Sequence, residues 1–155
     1  MWLILCSSTD VSAIWAYHRI KALGFEPLEL VSTEMLVYSL YWEHRLSNDA
    51  ISVNIQLTDG RRISQNKLNG VFNRIVSIPF ECLQLVHPGD YEYALQELTA
   101  FFLSWLYALP SPVINRPTPQ GLSGKSRHIS EWIWLASRAG LKTPVYKKDC
   151  RNYNF

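Results

Sequence analysis

The sequence predicts an α/β fold with a mostly parallel sheet and an antiparallel β-meander at its edge. Three observations carry that expectation. The chain opens on an unbroken apolar run, Trp2-Leu-Ile-Leu-Cys6, followed by a polar turn and a helix-spaced segment. Its second quarter alternates apolar and polar residues beside an Asp59-Gly60 turn. Its later half sets a long amphipathic segment between two short apolar runs, each ending in Asn-Arg. A strand covered on both faces reads as continuous apolar sequence, whereas a strand wet on one face alternates.

Trp2 to Cys6 is therefore expected as a central strand. Ser7-Ser8-Thr9-Asp10 offers side chains that cap the next helix, whose apolar positions Ala13, Ile14, Tyr17, Ile20 and Leu23 keep helical spacing up to Gly24. Pro27 to Val31 supplies a second strand, which a right-handed crossover lays parallel to the first. After Thr33 the pattern changes. Leu36 to Leu46 holds alternating and aromatic stretches, and Ser47-Asn48-Asp49 is turn chemistry. Ile51, Val53, Ile55 and Leu57 then alternate with polar residues, and Arg62-Ile63 returns past the Asp-Gly turn as a short third strand.

Gly70-Val-Phe-Asn-Arg-Ile-Val76 reads as another central parallel strand in which Asn73 and Arg74 are the polar exceptions. His87-Pro88-Gly89 frames a loop. Asp90 is placed as the N-cap of the strongest helix, which runs to about Ala108 with Tyr91, Leu95, Leu98, Phe102, Trp105 and Leu109 as its apolar stripe. Pro110 and Pro112 stop it, and Val113-Ile114 forms a last short strand. A Gly121/Ser123/Gly124/Lys125 loop leads into a helix carrying Glu131-Trp-Ile-Trp-Leu135, closed by Gly140. On that helix Ile129, Trp132, Ile133 and Ala136 share a face from which Trp134 and Arg138 fall away.

Composition bounds what such a chain does. At 155 residues, 48% apolar and 13% aromatic, it has enough sequence for one core that removes roughly two-thirds of the unfolded chain's surface from water. The net charge of +2, from scattered Lys and Arg, lacks the basic stripe of a nucleic-acid binder. Cys6, Cys82 and Cys150 show no paired spacing and read as reduced thiols of a cytoplasmic protein. The longest apolar run, Phe101 to Leu109, is far below the roughly 20 residues that cross a bilayer. His18, His44, His87 and His128 have no metal-ligand spacing with one another or with the cysteines, so no metal site is expected.

The candidate chemistry concentrates at strand ends. Arg74 closes an apolar strand, where a bidentate guanidinium contact to a carboxylate or phosphate is geometrically natural; the plainer alternatives are snorkelling to water or pairing with Glu81. Asn115 and Arg116 repeat the arrangement after Val113-Ile114, so Asn73, Arg74, Asn115 and Arg116 form the expected ligand-binding set. Ser7, Ser8, Thr9 and Asp10 follow the first strand, but neither a glycine-rich dinucleotide fingerprint nor a P-loop accompanies them, and helix capping accounts for them. A hydrolase triad of Ser8, Asp10 and His128, with Ser7 as a substitute nucleophile, lacks a Gly-x-Ser-x-Gly elbow. The Trp132/Trp134/Arg138 surface fits either a partner interface or an overfilled core.

Several of these segments together resemble the approach to the nucleotide-binding part of ATP-grasp carboxylate-amine ligases, in particular the glutathione-synthetase-like and peptide-modifying branch. The matching residues are Val113-Ile-Asn-Arg-Pro117, Ser123-Gly-Lys125, Trp134-Leu-Ala136 and Ala139-Gly-Leu-Lys-Thr-Pro144, with a Pro-x-Thr/Val strand due to follow. Gly70-Val-Phe-Asn-Arg74 is similar to the family's Trp-x-Arg strand, with Phe72 at the aromatic position. The resemblance covers the second half of the chain in detail and the first half as an α/β pattern. It implies a Rossmann-like, three-layer pre-ATP-grasp domain over residues 1–117. Residues 118–155 would then be a linker loop, a helix and the start of an ATP-grasp module.

ATP and Mg2+ would be held by that module and supplied from elsewhere, since after Tyr146 only Lys147 to Phe155 follow. On this resemblance no catalytic residue is expected in the chain. Its role would be to bind a peptide or carboxylate ligand through the strand-end Asn and Arg residues, and a catalytic partner through Trp132, Trp134 and Arg138, with Lys125 on a hinge. The alternative readings are a stand-alone interaction module and the Ser hydrolase.

Overall fold

The computed structural model describes residues 1–48, 51–109 and 112–147. Asp49, Pro110, Cys150 and the last residues of the expected module start lie outside them. The described residues divide into two compact units, one over residues 1–125 and one from residue 126 onward.

In the first unit the opening apolar run is β1 (Trp2–Cys6), and Val11–Ala22 is α1. Asp10 caps α1 by accepting from the Ala13 N–H at 3.0 Å, which satisfies one of the donors a helix start leaves over. Leu28–Ser32 is β2, parallel to β1 with Trp2 opposite Leu28. Gly70–Asn73 is β6 and Val113–Ile114 is β7. All pairings are parallel, in the order β2-β1-β6-β7. The strand expected to reach Val76 therefore stops at Asn73, whose side chain takes over the hydrogen bonding as described below.

The meander has its own hydrogen-bonded sheet: β3 (Tyr41–Leu46), β4 (Ile51–Gln56) and β5 (Arg62–Ser64), antiparallel throughout. It is tied to the β2 edge of the parallel sheet by Arg61. The guanidinium donates to the Glu29 carboxylate at 2.7 Å, to the Leu30 carbonyl at 3.0 Å and to Asp59 at 2.7 Å. The stretch from Leu36 is less extended than its alternation suggested. Thr33–Val37 is a short helix, α2, because the Ser32 hydroxyl accepts from the Met35 N–H and nucleates the turn locally.

Alternation along the central strands sorts the core into two faces. Leu3, Leu5 and Val71 face the meander and the long helix α3 (Tyr91–Ala108), joining Val53, Ile55, Phe102, Trp105 and Leu106 in the larger cluster. Ile4, Cys6 and Leu28 face α1, where Ala13 is its buried residue. Trp42 of β3 bridges the layers edge-on to Phe101, Phe102 and Trp105, with ring centroids 4.8–5.2 Å apart. Opposite Trp2 only glycine fits: a Cβ on Gly70 would stand 2.6 Å from the Trp2 indole. Asp90 precedes α3 without capping it through its side chain. The preceding turn is capped by His87, whose Nδ1 accepts from the Gly89 N–H, and that turn delivers Asp90 in a helical conformation already.

The second unit holds α4 (Ile129–Arg138). His128 caps it through Nδ1, which accepts from the Ser130 N–H, and Gly140 closes it at φ 75°. The strand expected beyond Pro144 does not form within the described residues. Leu141–Lys147 has no regular structure and Val145 is fully exposed, since a strand is stabilised only by a neighbour to pair with.

Candidate functional site

The strand order places β1 between β2, reached through α1, and β6 on its other side. The carboxyl ends of β1 and β6 thus flank a topological switch point, the position where open α/β sheets leave a crevice for ligands.

Arg74 follows β6 and its N–H donates to the Leu5 carbonyl at 2.7 Å, which holds it beside the end of β1. Its guanidinium forks onto Asp10, with Nε to Oδ2 at 2.7 Å and Nη2 to Oδ1 at 3.1 Å. Phe72 lies against the same guanidinium at 5.8 Å. The Arg74 hydrogen bonds, helped by the Ala13 N–H, outweigh partial burial and hold Asp10 below the usual carboxylate range. Arg74 is therefore paired with the helix cap of α1, not with Glu81. The sequence reading gave Asp10 its capping role but missed this pairing, whose signal is that parallel neighbours end side by side: residues just past β1 and β6 must meet.

Asn73 is fully buried. Its Nδ2 donates to the Asn115 carbonyl at 3.1 Å and the Leu122 carbonyl at 2.7 Å, and its Oδ1 accepts from the Ile75 N–H at 3.1 Å. Asn115 returns the contact, Nδ2 donating to the Asn73 carbonyl at 3.0 Å. It does so from φ 59°, a left-handed conformation that Asn tolerates better than most side chains. The structure thus brings Asn73 and Asn115 together as a clamp that continues the β6–β7 ladder and anchors the 118–122 loop, where Thr118 bridges to Gly121. The two arginines diverge: Arg74 turns to α1, and the Arg116 Nη1 lies 3.5 Å from the Tyr107 carbonyl near the end of α3.

Between the ends of β1, β2 and β6 lies a cavity of about 400 Å³, lined by Ser7, Ser8, Thr9, Thr33, Glu34, Tyr38, Ser77, Ile78, Pro79 and Glu81. Glu34 is its best-fixed group. It accepts from the Ser8 N–H at 3.1 Å, the Thr33 hydroxyl at 3.3 Å and the Ser7 hydroxyl at 3.5 Å. Burial pushes the Glu34 carboxyl up, but backbone and serine hydrogen bonds outweigh it and leave the group below its ordinary value, hence ionised at neutral pH. Sequence reasoning passed over Glu34 and Tyr38: Tyr38 fell inside the Leu36 to Leu46 stretch read as alternating, and Glu34 was left between that stretch and the second strand. The overlooked signal was a Ser-Thr-Glu run directly after a buried strand. A second cavity of about 400 Å³ lies on the other side of residues 76–78, walled by Val76, Tyr91, Leu95, Thr99, Leu103 and Pro119.

The residues considered for nucleophilic chemistry are committed elsewhere. The Ser7 hydroxyl lies 3.1 Å from that of Thr9, Asp10 serves Arg74, and the His128 Nδ1 serves Ser130. Cys6 is buried at the end of β1, and burial, with the nearby negative charges of Asp10 and Glu34, pushes its thiol up to about 11, so it stays protonated and unreactive. Among the described residues no three His, Cys, Asp or Glu side chains are grouped to hold a metal ion. Among them, too, no helix is long and apolar enough to cross a membrane.

In the second unit Trp132 and Trp134 are each about half exposed, at 54% and 55%. Arg138 stacks on Trp134 at 5.0 Å, one turn along, and Arg127, which pairs with Glu131, lies over Trp132 at 5.9 Å. None of the residues of α4 is fully buried.

The parallel sheet with α1 on one face, and α3 with the antiparallel meander on the other, defines an α/β domain of the pre-ATP-grasp type. Solved ATP-grasp ligases share this fold. One is a RiPP-associated ATP-grasp ligase from Chryseobacterium gregarium, solved with ADP and a leader and core peptide. It superposes with a TM-score of 0.61 at 14% identity over 93% of this chain and 42% of its own. Another is the macrocyclase MdnC from Microcystis aeruginosa MRC, bound with precursor peptide MdnA, with a TM-score of 0.62 at 15% identity over 90% and 44%. The chain thus spans less than half the length of either ligase, and the likeness is one of fold. No protein-family model and no curated protein sequence matches it.

Proposed function

We propose that this chain is a non-catalytic, substrate- or partner-binding domain of an ATP-grasp-type ligase system, and that its ligand is a peptide. The observation that carries the reading is the crevice itself. A cavity walled by hydroxyls and a fixed carboxylate sits at the switch point of a fold shared with two ligases solved with peptides bound. On this reading Arg74, Asn115 and Arg116, which follow β6 and β7 outside the cavity lining, would contact a peptide carboxylate, and Asn73 would hold Asn115 in place. ATP and Mg2+ would be held by a separate ATP-grasp module, with Trp132, Trp134 and Arg138 contacting it.

The reading is tested by purifying the 155-residue chain and following phosphate release from Mg2+·ATP, with peptides encoded by neighbouring genes titrated calorimetrically. No release and saturable peptide binding are expected. ATP turnover by the chain alone, or failure to bind any such peptide, overturns it.

A further inference from the structure

The two cavities beside residues 76–78 share Ser77 and Ile78 as a common wall, so they lie on either side of one ridge. We propose that together they form a bipartite groove, taking a Lys or Arg side chain on the β1/β2 side and the adjoining apolar side chain of the same extended peptide on the α3 side. The inference rests on the peptide-binding reading above for the nature of the ligand, and on the linings for its sequence.

Charge decides the first half. The charged side chains lining the strand-end cavity are Glu34 and Glu81, with no Lys or Arg among the lining residues, although the chain as a whole is net positive at +2. Among the described residues neither glutamate is ion-paired with a Lys or Arg, in contrast to Asp10, Glu29 and Asp59, which are. Glu34 is also oriented before any ligand arrives, since three donors from Ser7, Ser8 and Thr33 fix its carboxylate. A pre-oriented, uncompensated carboxylate attracts a cation and repels an anion. The remaining walls, Tyr38, Ile78 and Pro79, suit the methylene stem that a basic side chain carries behind its charge.

Geometry supplies the second half. Successive side chains of an extended peptide point to opposite sides. A chain running along the ridge would drop residue i into one cavity and residue i+1 into the other. The α3 cavity offers Leu95, Leu103, Pro119 and Val76, the last of them 79% exposed beside it, which is a wall for an apolar partner.

Nitrogen-15 NMR titration of the full chain with acetyl-Arg-Leu-amide, acetyl-citrulline-Leu-amide and acetyl-Glu-Leu-amide tests the proposal. The arginine probe is expected to move the amides of Ser8, Thr9, Glu34 and Ser77 on one side and of Leu95 and Leu103 on the other. The isosteric but neutral citrulline probe should bind about tenfold more weakly, as loss of one charge-assisted contact implies. Glu81→Gln, at an exposed position, should weaken the arginine probe alone, and Glu34→Gln should do so more strongly. Equal binding of citrulline, preference for the glutamate probe, or shifts elsewhere overturn the proposal. If neighbouring-gene peptides bind with shifts elsewhere, the proposed function stands and this groove does not. If the arginine probe binds here and no such peptide does, the groove stands and that function does not.

Discussion

Asn73 and Asn115 exchange amide-to-carbonyl hydrogen bonds, 3.1 Å one way and 3.0 Å the other, across the ends of two adjacent parallel strands. The exchange continues the strand ladder by side chains after the backbone ladder has stopped, and Asn73 adds the Leu122 carbonyl as a third anchor. What looks in sequence like a pair of ligand-binding strand ends is thereby also a framework.

The clamp gives the first prediction. Asn73→Ala leaves the buried Leu122 carbonyl and Ile75 N–H without this partner, at about 1–3 kcal/mol for each group left unsatisfied, and removes the part-buried bond to the Asn115 carbonyl, so a loss of at least ~2 kcal/mol is expected in urea denaturation. At Asn115 two effects oppose. Glycine loses the amide contact but accepts φ 59° freely, whereas alanine loses the contact and is strained as well. Asn115→Gly should therefore be the milder change, by about 1 kcal/mol. An alanine variant as stable as the glycine one would contradict the strained geometry.

The Arg74–Asp10 pair predicts an acid limb in the stability curve. Asp10 is held below its ordinary value of 3.8 in the folded chain. Its contribution is complete above that value and is lost as pH falls through the lower folded value. Glu34 is shifted in the same direction, so the Asp10 share must be isolated. Asp10→Asn keeps a capping acceptor for Ala13 while removing the charge, and Arg74→Met keeps the stem against Phe72. A double-mutant cycle with these two should give a coupling of about 1 kcal/mol at neutral pH that vanishes in acid. A pH-independent coupling would mean that the contact is packing, not charge.

How much of this was written in the sequence follows from which forces are local. β1, β2, the meander and α3 were legible because each carries its own period of apolar residues. The strand-end asparagines and arginines were legible as exceptions to that period, but their partners were not. Asn73 reaches Leu122 and Arg74 reaches Asp10, 49 and 64 residues away, and only the sheet order brings such residues together. α2 was missed for the opposite reason: a single Ser32 cap, a very local effect, outweighs the longer alternation around it.

Trp105 tests the joint between meander and α3. It is fully buried, packed edge-on against Trp42 and Phe102, and its Nε1 has no hydrogen-bond partner among the described residues. Trp105→Ala should cost about 3–5 kcal/mol, the usual range for emptying such a site. Trp105→Phe keeps a ring for Trp42 and discards an N–H that gains nothing, so less than half that loss is expected. If the phenylalanine variant proves as damaging as alanine, the indole N–H has a partner in solution.

The final prediction separates partner contact from core in α4. A tryptophan that serves its own fold is buried, and its removal is expensive. Trp132 and Trp134 are instead half exposed, and the Arg138 guanidinium on the Trp134 face, at 5.0 Å, adds well under ~1 kcal/mol at so open a site. Trp132→Ala, Trp134→Ala and Arg138→Ala should each change stability by less than about 1 kcal/mol in thermal denaturation. If α4 docks a catalytic module, the same substitutions should weaken that association by tenfold or more, because large aromatic and Arg anchors dominate interface energies. The two measurements read in opposite directions: large stability losses with unchanged association would place both indoles in the core and remove α4 from the interface.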